Sequence, residues 1–212
     1  RQAYQMLLLQ HESGRLNWVS NVQKTLCENG FGIVWLSQGV GCEYGFIHEF
    51  KDRLISCYKQ NWHSELEAND KYRWYSSFKR VFQTEKYLSF IPNKWHRISL
   101  VRFRLRVSGL KNCKQWFLGE DNGNDTTCPS CGNTAESEIH FLFHCTAYTE
   151  KRKNCHVIDA FTGDPDQSIV ANILSDSNEQ KMKNLAKFIG EAMNIRKKII
   201  EQKTAVSPQM IH

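Results

Sequence analysis

The 212 residues predict a mainly α fold in which a helical region is followed by a short cysteine- and histidine-rich loop and then by C-terminal helices. Two observations predict the helices. Apolar residues recur at three-to-four spacing through most of the chain, and clusters of Gly, Asn and Asp punctuate the intervals between those stretches. A third predicts the loop: residues 128–145, CPSCGNTAESEIHFLFHC, hold three cysteines and two histidines within eighteen positions.

Taken in order, Leu16, Val19, Val22 and Leu26 form the first helical stripe, which stops at the C-cap pair Asn29-Gly30. Phe46, Phe50, Leu54 and Tyr58 form the second, and Trp74, Phe78 and Phe82 predict a third helix over 71–82. The stretch SLVRFRLRV, 99–107, admits two readings. Val101, Phe103, Leu105 and Val107 alternate with Arg102, Arg104 and Arg106 as in a half-buried strand, which would put all three arginines on one face. Trp95, Ile98, Val101 and Leu105 also fit a helical stripe. A helix over 93–107 has ordinary length and no internal Gly or Pro, so helix is the expectation.

Gly109 and the polar run GEDNGNDTT, 119–127, predict a boundary, and TGDPD, 162–166, predicts a second linker. Asp164-Pro165 supplies an N-cap and a first-turn proline for a helix ending near Leu174. The stretch 177–203, with Met182, Leu185, Phe188, Ile189, Ala192, Ile195 and Ile199 on one face, predicts a long last helix. The expected divisions are a helical region 1–118, the Cys/His loop 119–160, C-terminal helices 161–204 and a frayed tail 205–212.

Hydrophobic content of 41% and charged content of 24% are ordinary for a globular chain, and no apolar run approaches the ~18 residues of a membrane span. Met6 to Leu9 is too short an apolar run for a secretory signal, and a start at Arg1 without methionine reads as a piece of something longer. Cysteines 27, 42, 57, 113 and 155 stand singly, unlike a disulfide scaffold, so the expected compartment is reducing, nuclear or cytoplasmic.

Charge is distributed unevenly. Residues 71–119 carry twelve Lys or Arg against one acid, Glu85, a local balance of +11 that leaves −5 for the rest of the +6 chain. A one-sign field of this kind concentrates polyanions and predicts RNA or DNA as partner. Arg102, Arg104 and Arg106 are the first candidates for phosphate contact, with Lys94, Arg97, Lys111 and Lys114 beside them; arginine's planar fork suits bidentate phosphate contacts. Tyr75 and Trp116 are the aromatic candidates for exposure and base stacking.

Cys128, Cys131, His140 and Cys145 have the spacing C-x2-C-x8-H-x4-C. Thiolate and imidazole are the donors that Zn²⁺ prefers, and a C-x2-C turn sets two sulfurs on one side of the ion while the later pair closes the other. His144, four residues after His140, competes with Cys145 for the fourth place; thiolate favours Cys145. Four protein donors leave no open position, which predicts a structural CCHC zinc knuckle and not a catalytic centre.

The segment CPSCGNTAESEIHFLFHCTAY resembles the zinc-binding segment that follows the reverse transcriptase in non-LTR (LINE-type) retrotransposon polyproteins. Glu138, His140, Phe141, Leu142 and Cys145 match its E-x-H-F-L-hydrophobic-x-C pattern in order. NWVSNVQKTLCENGFGIVWLSQGVG at 17–41, NWHSEL at 61–66, RISLVRFRLRVSGL at 97–110 and LAKFIGEAMNIRKKI are similar to the flanking helical regions of such elements. The resemblance implies a parent that copies RNA into DNA, with the polymerase N-terminal to this segment and this segment gripping template or target. There are departures: no Y-x-D-D or F-x-D-D pair occurs, and KNCKQWF, 111–117, stands where the family often carries G-R.

Two rival readings use the same residues. His63-Ser64-Glu65 with Cys128-Pro129-Ser130-Cys131 superficially resembles the H-x-E and P-C-x-x-C pair of zinc deaminases, but here proline follows the first cysteine. A zinc module that docks proteins would use the aromatic residues as a partner groove instead.

Overall fold

The structure, a computed structural model, describes residues 2–113 and 125–206. It is mainly helical, with 68% helix and almost no strand. The chain forms two compact units, residues 1–65 and 66–212, divided inside one long helix. Among the described residues, no helix is long and apolar enough to cross a membrane.

The first unit holds α1 (Gln2–Glu12), α2 (Trp18–Glu28), α3 (Gly32–Ser37) and most of α4 (Glu43–Ala68). Asn17 and Ser20 form a capping box at the start of α2, and Asn29 closes it, with Gly30 at φ 86° turning the chain away as the pair predicts. Phe31, Phe46 and Phe50 cluster with ring centroids 5.2 to 5.6 Å apart. The packing is shallow: Val19 is fully buried, while Met6, Trp18, Ile33, Leu36 and Ile47 are all more than 60% exposed.

The second unit is built on two helices, α7 (Lys94–Arg104) and α11 (Glu179–Val206), which lie against each other. Gly190 lets them approach: a Cβ there would meet His96 Cδ2 at 2.9 Å. Leu100 and Phe103 of α7 meet Leu185, Phe188 and Ile189 of α11 in one core, to which the Cys/His loop contributes Phe141, Leu142 and Tyr148. Around this pair lie α5 (Arg73–Ser76), α6 (Tyr87–Phe90), α8 (Thr149–Arg152), α9 (His156–Asp159) and α10 (Gln167–Leu174).

Three sequence expectations need correction. The helix expected over 71–82 is only a 3-10 turn (Asp70–Tyr72) followed by α5. Ser76 and Ser77 turn their hydroxyls back onto the carbonyls of Arg73 and Trp74, at 2.9 and 2.7 Å, and Lys79 then turns inward to pair with Glu85. The N-cap of α10 is Asp166, not Asp164; its carboxylate accepts from Ile169 N at 2.9 Å. The stretch 93–107 is helical, but α7 ends at Arg104, and Arg106 takes a left-handed φ of 55° with Val107 N bonded to Arg102 O at 2.9 Å. That termination swings the Arg106 side chain inward.

Candidate metal centre

Residues 125–148 assemble the site. Thr127 and Ala135 form an antiparallel bridge, and Cys128 N donates to Thr134 O at 2.7 Å, making a tight hairpin. Gly132, at φ 74°, reverses the chain inside it while its N–H donates to Cys128 O at 2.9 Å. The C-x2-C pair sits on this hairpin. His140 and Cys145 follow on a π-helical turn, His140–His144, whose signature is Cys145 N donating to His140 O at 2.8 Å.

The π turn explains the fourth donor. On an α-helix, five residues make about 1.4 turns and send the two side chains to different faces; the wider i→i+5 turn brings them back to one side. Cys145 is therefore buried beside Cys128, whereas His144 is exposed. Sγ of Cys128, Cys131 and Cys145 and a ring nitrogen of His140 all lie within 4.8 Å of one another, a group able to hold a metal ion. The sulfurs of Cys128 and Cys145 are 3.9 Å apart, and Cys131 Sγ lies 3.3 Å from His140 Nε2.

Supporting groups orient the donors. Thr134 Oγ1 lies 2.8 Å from His140 Nδ1, leaving Nε2 to face the sulfurs. Burial, helped by His144, lowers the His140 pKa, so the imidazole stays neutral and ready to ligate. Burial opposes the Cys131 thiolate, but hydrogen bonds from the backbone of Asn133 and from the Cys128 and Cys145 thiols outweigh it and lower that pKa. Burial pushes the Cys145 thiol up to about 12. Arg152 caps the π turn by donating to Leu142 O at 2.7 Å and Cys145 O at 2.9 Å.

Two acids inside the loop tie it to its surroundings. Glu136, 1% exposed, accepts from Arg196 of α11 at 2.6 and 2.8 Å and from Lys111 N at 2.8 Å; the same arginine donates to Gly109 O at 3.0 Å. Glu138, 3% exposed, pairs with Arg106 Nε at 2.7 Å and accepts from the Cys113 thiol at 3.3 Å. Spacing alone did not reveal Thr134, Glu136, Arg152 or Arg196 as supporting residues. The visible signal was faint: two glutamates, two residues apart, in a loop flanked by cations.

The structure separates the candidate cations. Lys94 and Arg102 are exposed on α7, with Trp95, 49% exposed, one heptad step from Arg102. Arg97 is half-buried and donates to Ile91 O at 2.8 Å, and Lys111 pairs with Asp125 at 3.0 Å. Arg104 and Arg106 are not surface groups. Arg104, 3% exposed, pairs with Glu85 at 3.0 Å, and Arg106 lies 4.3 Å over the Trp74 ring while holding Glu138. Residues two positions apart on a helix lie on opposite sides, which parts Arg102 from Arg104, and Arg106 turns inward past the helix end, so the arginines that a strand would have aligned divide between surface and interior. Tyr75 is half-buried, while Lys114 and Trp116 lie outside the described residues. His63 is exposed on α4 and does not belong to the metal-ligand group.

Comparison of the chain with protein-family models, with curated proteins and with solved structures finds no match.

Proposed function

We propose that this chain is a zinc-stabilised, non-catalytic nucleic-acid-binding region, of the kind that follows the polymerase in a non-LTR retrotransposon reverse transcriptase. It would work inside the cell, nuclear or cytoplasmic, holding template RNA or target DNA for the rest of the polyprotein. The observation that carries the reading is the attachment of the Cys/His loop to the basic segment. Glu138 holds Arg106, and Glu136 holds the Lys111 backbone and Arg196, so an ion that orders the loop also fixes α7, where Lys94, Trp95 and Arg102 are exposed.

Zinc suits the donors. Zn–S bonds of about 2.3 Å and a Zn–N bond of about 2.0 Å in a tetrahedron set sulfur–sulfur edges of about 3.8 Å and sulfur–nitrogen edges of about 3.5 Å. The separations of 3.9 and 3.3 Å fit both edges. Exposed arginine and lysine supply phosphate contacts, and an exposed indole beside them supplies a stacking platform.

The test pairs metal analysis with salt-titrated binding of generic oligonucleotides. One zinc per chain is expected, with a log-log salt slope that falls by about 0.7 to 0.9 for each phosphate contact removed in Lys94→Ala or Arg102→Ala. Binding that survives charge reversal at both positions undiminished would show the surface to be wrong.

One feature of the first unit favours a second reading, protein docking. A groove of about 490 Å³ there is lined by Trp18, Val22, Leu26, Val34, Phe46 and Phe50. Docking through such a groove predicts affinity that is nearly independent of salt.

A further inference from the structure

The loop after α5 encloses a second site. A cleft of about 520 Å³ lies between residues 77–90 and the connection from α10 to α11, with Arg104 and Lys79 among its lining. Both cations are interior, with side chains 4% and 9% exposed, and both pair with the same carboxylate, Glu85. Lys79 also donates to Gln83 O at 2.6 Å. The Arg104 guanidinium sits 4.9 Å from the Phe78 ring and 4.8 Å from the Tyr87 ring, and its Nε is buried without a hydrogen-bond partner among the described residues.

The charges in this cleft do not cancel. Lining it are four cations, Lys79, Arg80, Lys86 and Arg104, against two acids, Glu85 and Asp176, and Asp176 is itself paired with Lys181 at 3.3 Å. Two buried cations sharing one carboxylate leave a positive charge inside the protein without a counterion among the described residues. Uncompensated buried charge is costly, and the two rings that flank Arg104 relieve it only in part. An anion in the cleft would supply the missing charge. Arginine's planar fork and the lysine ammonium are the standard pair for a phosphate oxygen, and the exposed Arg80 and Lys86 at the mouth would draw it in.

We propose that the cleft between the 77–90 loop and the α10–α11 connection is a phosphate-binding site, with Lys79 and Arg104 at its base and Arg80 and Lys86 at its entrance. Its volume exceeds that of a phosphate alone and leaves room for an attached sugar and base. Assigning the phosphate to a nucleic-acid strand rests on the function proposed above; the affinity for phosphate itself does not.

The experiment uses the full zinc-loaded chain. Inorganic phosphate, titrated against chloride at matched ionic strength, is expected to raise the melting temperature saturably. The Lys79→Met variant should weaken phosphate about tenfold, the loss of one charge-assisted hydrogen bond. Because a buried lysine can matter to folding, Arg80→Ser/Lys86→Ser provides an exposed pair whose loss should weaken phosphate several-fold and leave the unliganded melting temperature unchanged. No saturable response beyond chloride, or equal affinity in wild type and the Arg80→Ser/Lys86→Ser variant, would overturn the site. A second arm compares a short oligonucleotide with and without a 5′-phosphate. Preference for the phosphorylated form identifies a terminal phosphate as the occupant, and equal, phosphate-competed binding identifies a backbone phosphate. Phosphate binding without any oligonucleotide binding keeps the cleft and removes the nucleic-acid function. Oligonucleotide binding that depends on Arg102 and ignores phosphate removes the cleft alone.

Discussion

Replacing Arg196 with methionine removes the partner of a carboxylate that has almost no access to water. Glu136 is 1% exposed and accepts three hydrogen bonds, two from Arg196 and one from Lys111 N, so the substitution leaves it with only the backbone donor. Gly109 O loses a donor as well. Stranding one member of a buried ion pair costs about 3–5 kcal/mol, a large part of the roughly 5–15 kcal/mol by which a domain is stable. At about 2–4 °C per kcal/mol for a unit of this size, the melting temperature should fall by roughly 6–20 °C. Thermal denaturation followed by circular dichroism, with zinc saturating, measures it. The second variant is Arg196→Met/Glu136→Leu, in which neither charge is buried alone; it should recover much of the loss. A drop below about 1 kcal/mol in the single variant, or a double variant no better than the single, would refute the claim that this pair fastens the Cys/His loop to α11.

Four further outcomes are expected. Cys128→Ser and Cys145→Ser should abolish stoichiometric metal binding, whereas His144→Ala should retain it, as measured by metal analysis after gel filtration. Thr134→Val should weaken metal affinity by about 10- to 100-fold in a competitive chelator titration, because Nδ1 of His140 loses its partner. Metal uptake should release protons, since Cys145 starts as a thiol raised to about 12 and must ionise. Loading should accordingly fall as pH falls, because protons then compete for the sulfurs, and calorimetry in buffers of different ionisation heat reads the release. Gly190→Val should destabilise the protein by about 1–3 kcal/mol in urea unfolding, because the added carbons meet His96 where α7 and α11 touch.

Where the controlling physics is local, the sequence showed it. The apolar stripe of α11, the Asn29-Gly30 stop and the gathering of the four Cys and His side chains all follow from spacing and capping. The preference for thiolate points to Cys145, which the structure groups with the other three side chains, although a regular helix would have favoured His144. Helix 71–82 failed because its apolar stripe was real but its backbone was not free: two serines bond back onto it and Lys79 is drawn to a glutamate six residues on. Arg104 and Arg106 turn inward for a different reason. Counting charge over 71–119 reveals an excess but not a partner, and the acid that claims Arg106 lies 32 residues away, in the Cys/His loop. Thr134 and Arg196 were invisible because their roles exist only after the hairpin and the last helix have come together.

The wide turn at 140–144 settles a conflict between two demands. Shortening that turn by one residue would still leave a histidine and a cysteine on one side of an ordinary helix, so coordination alone does not require the extra position. What it sets is position: removing a residue draws the chain after it back by one place, carrying Tyr148 out of the core and Arg152 away from the carbonyls it satisfies. The length of the segment thus answers to the hydrophobic interior, and a single-codon deletion there should leave a histidine and a cysteine side by side in a protein that has lost its solid packing.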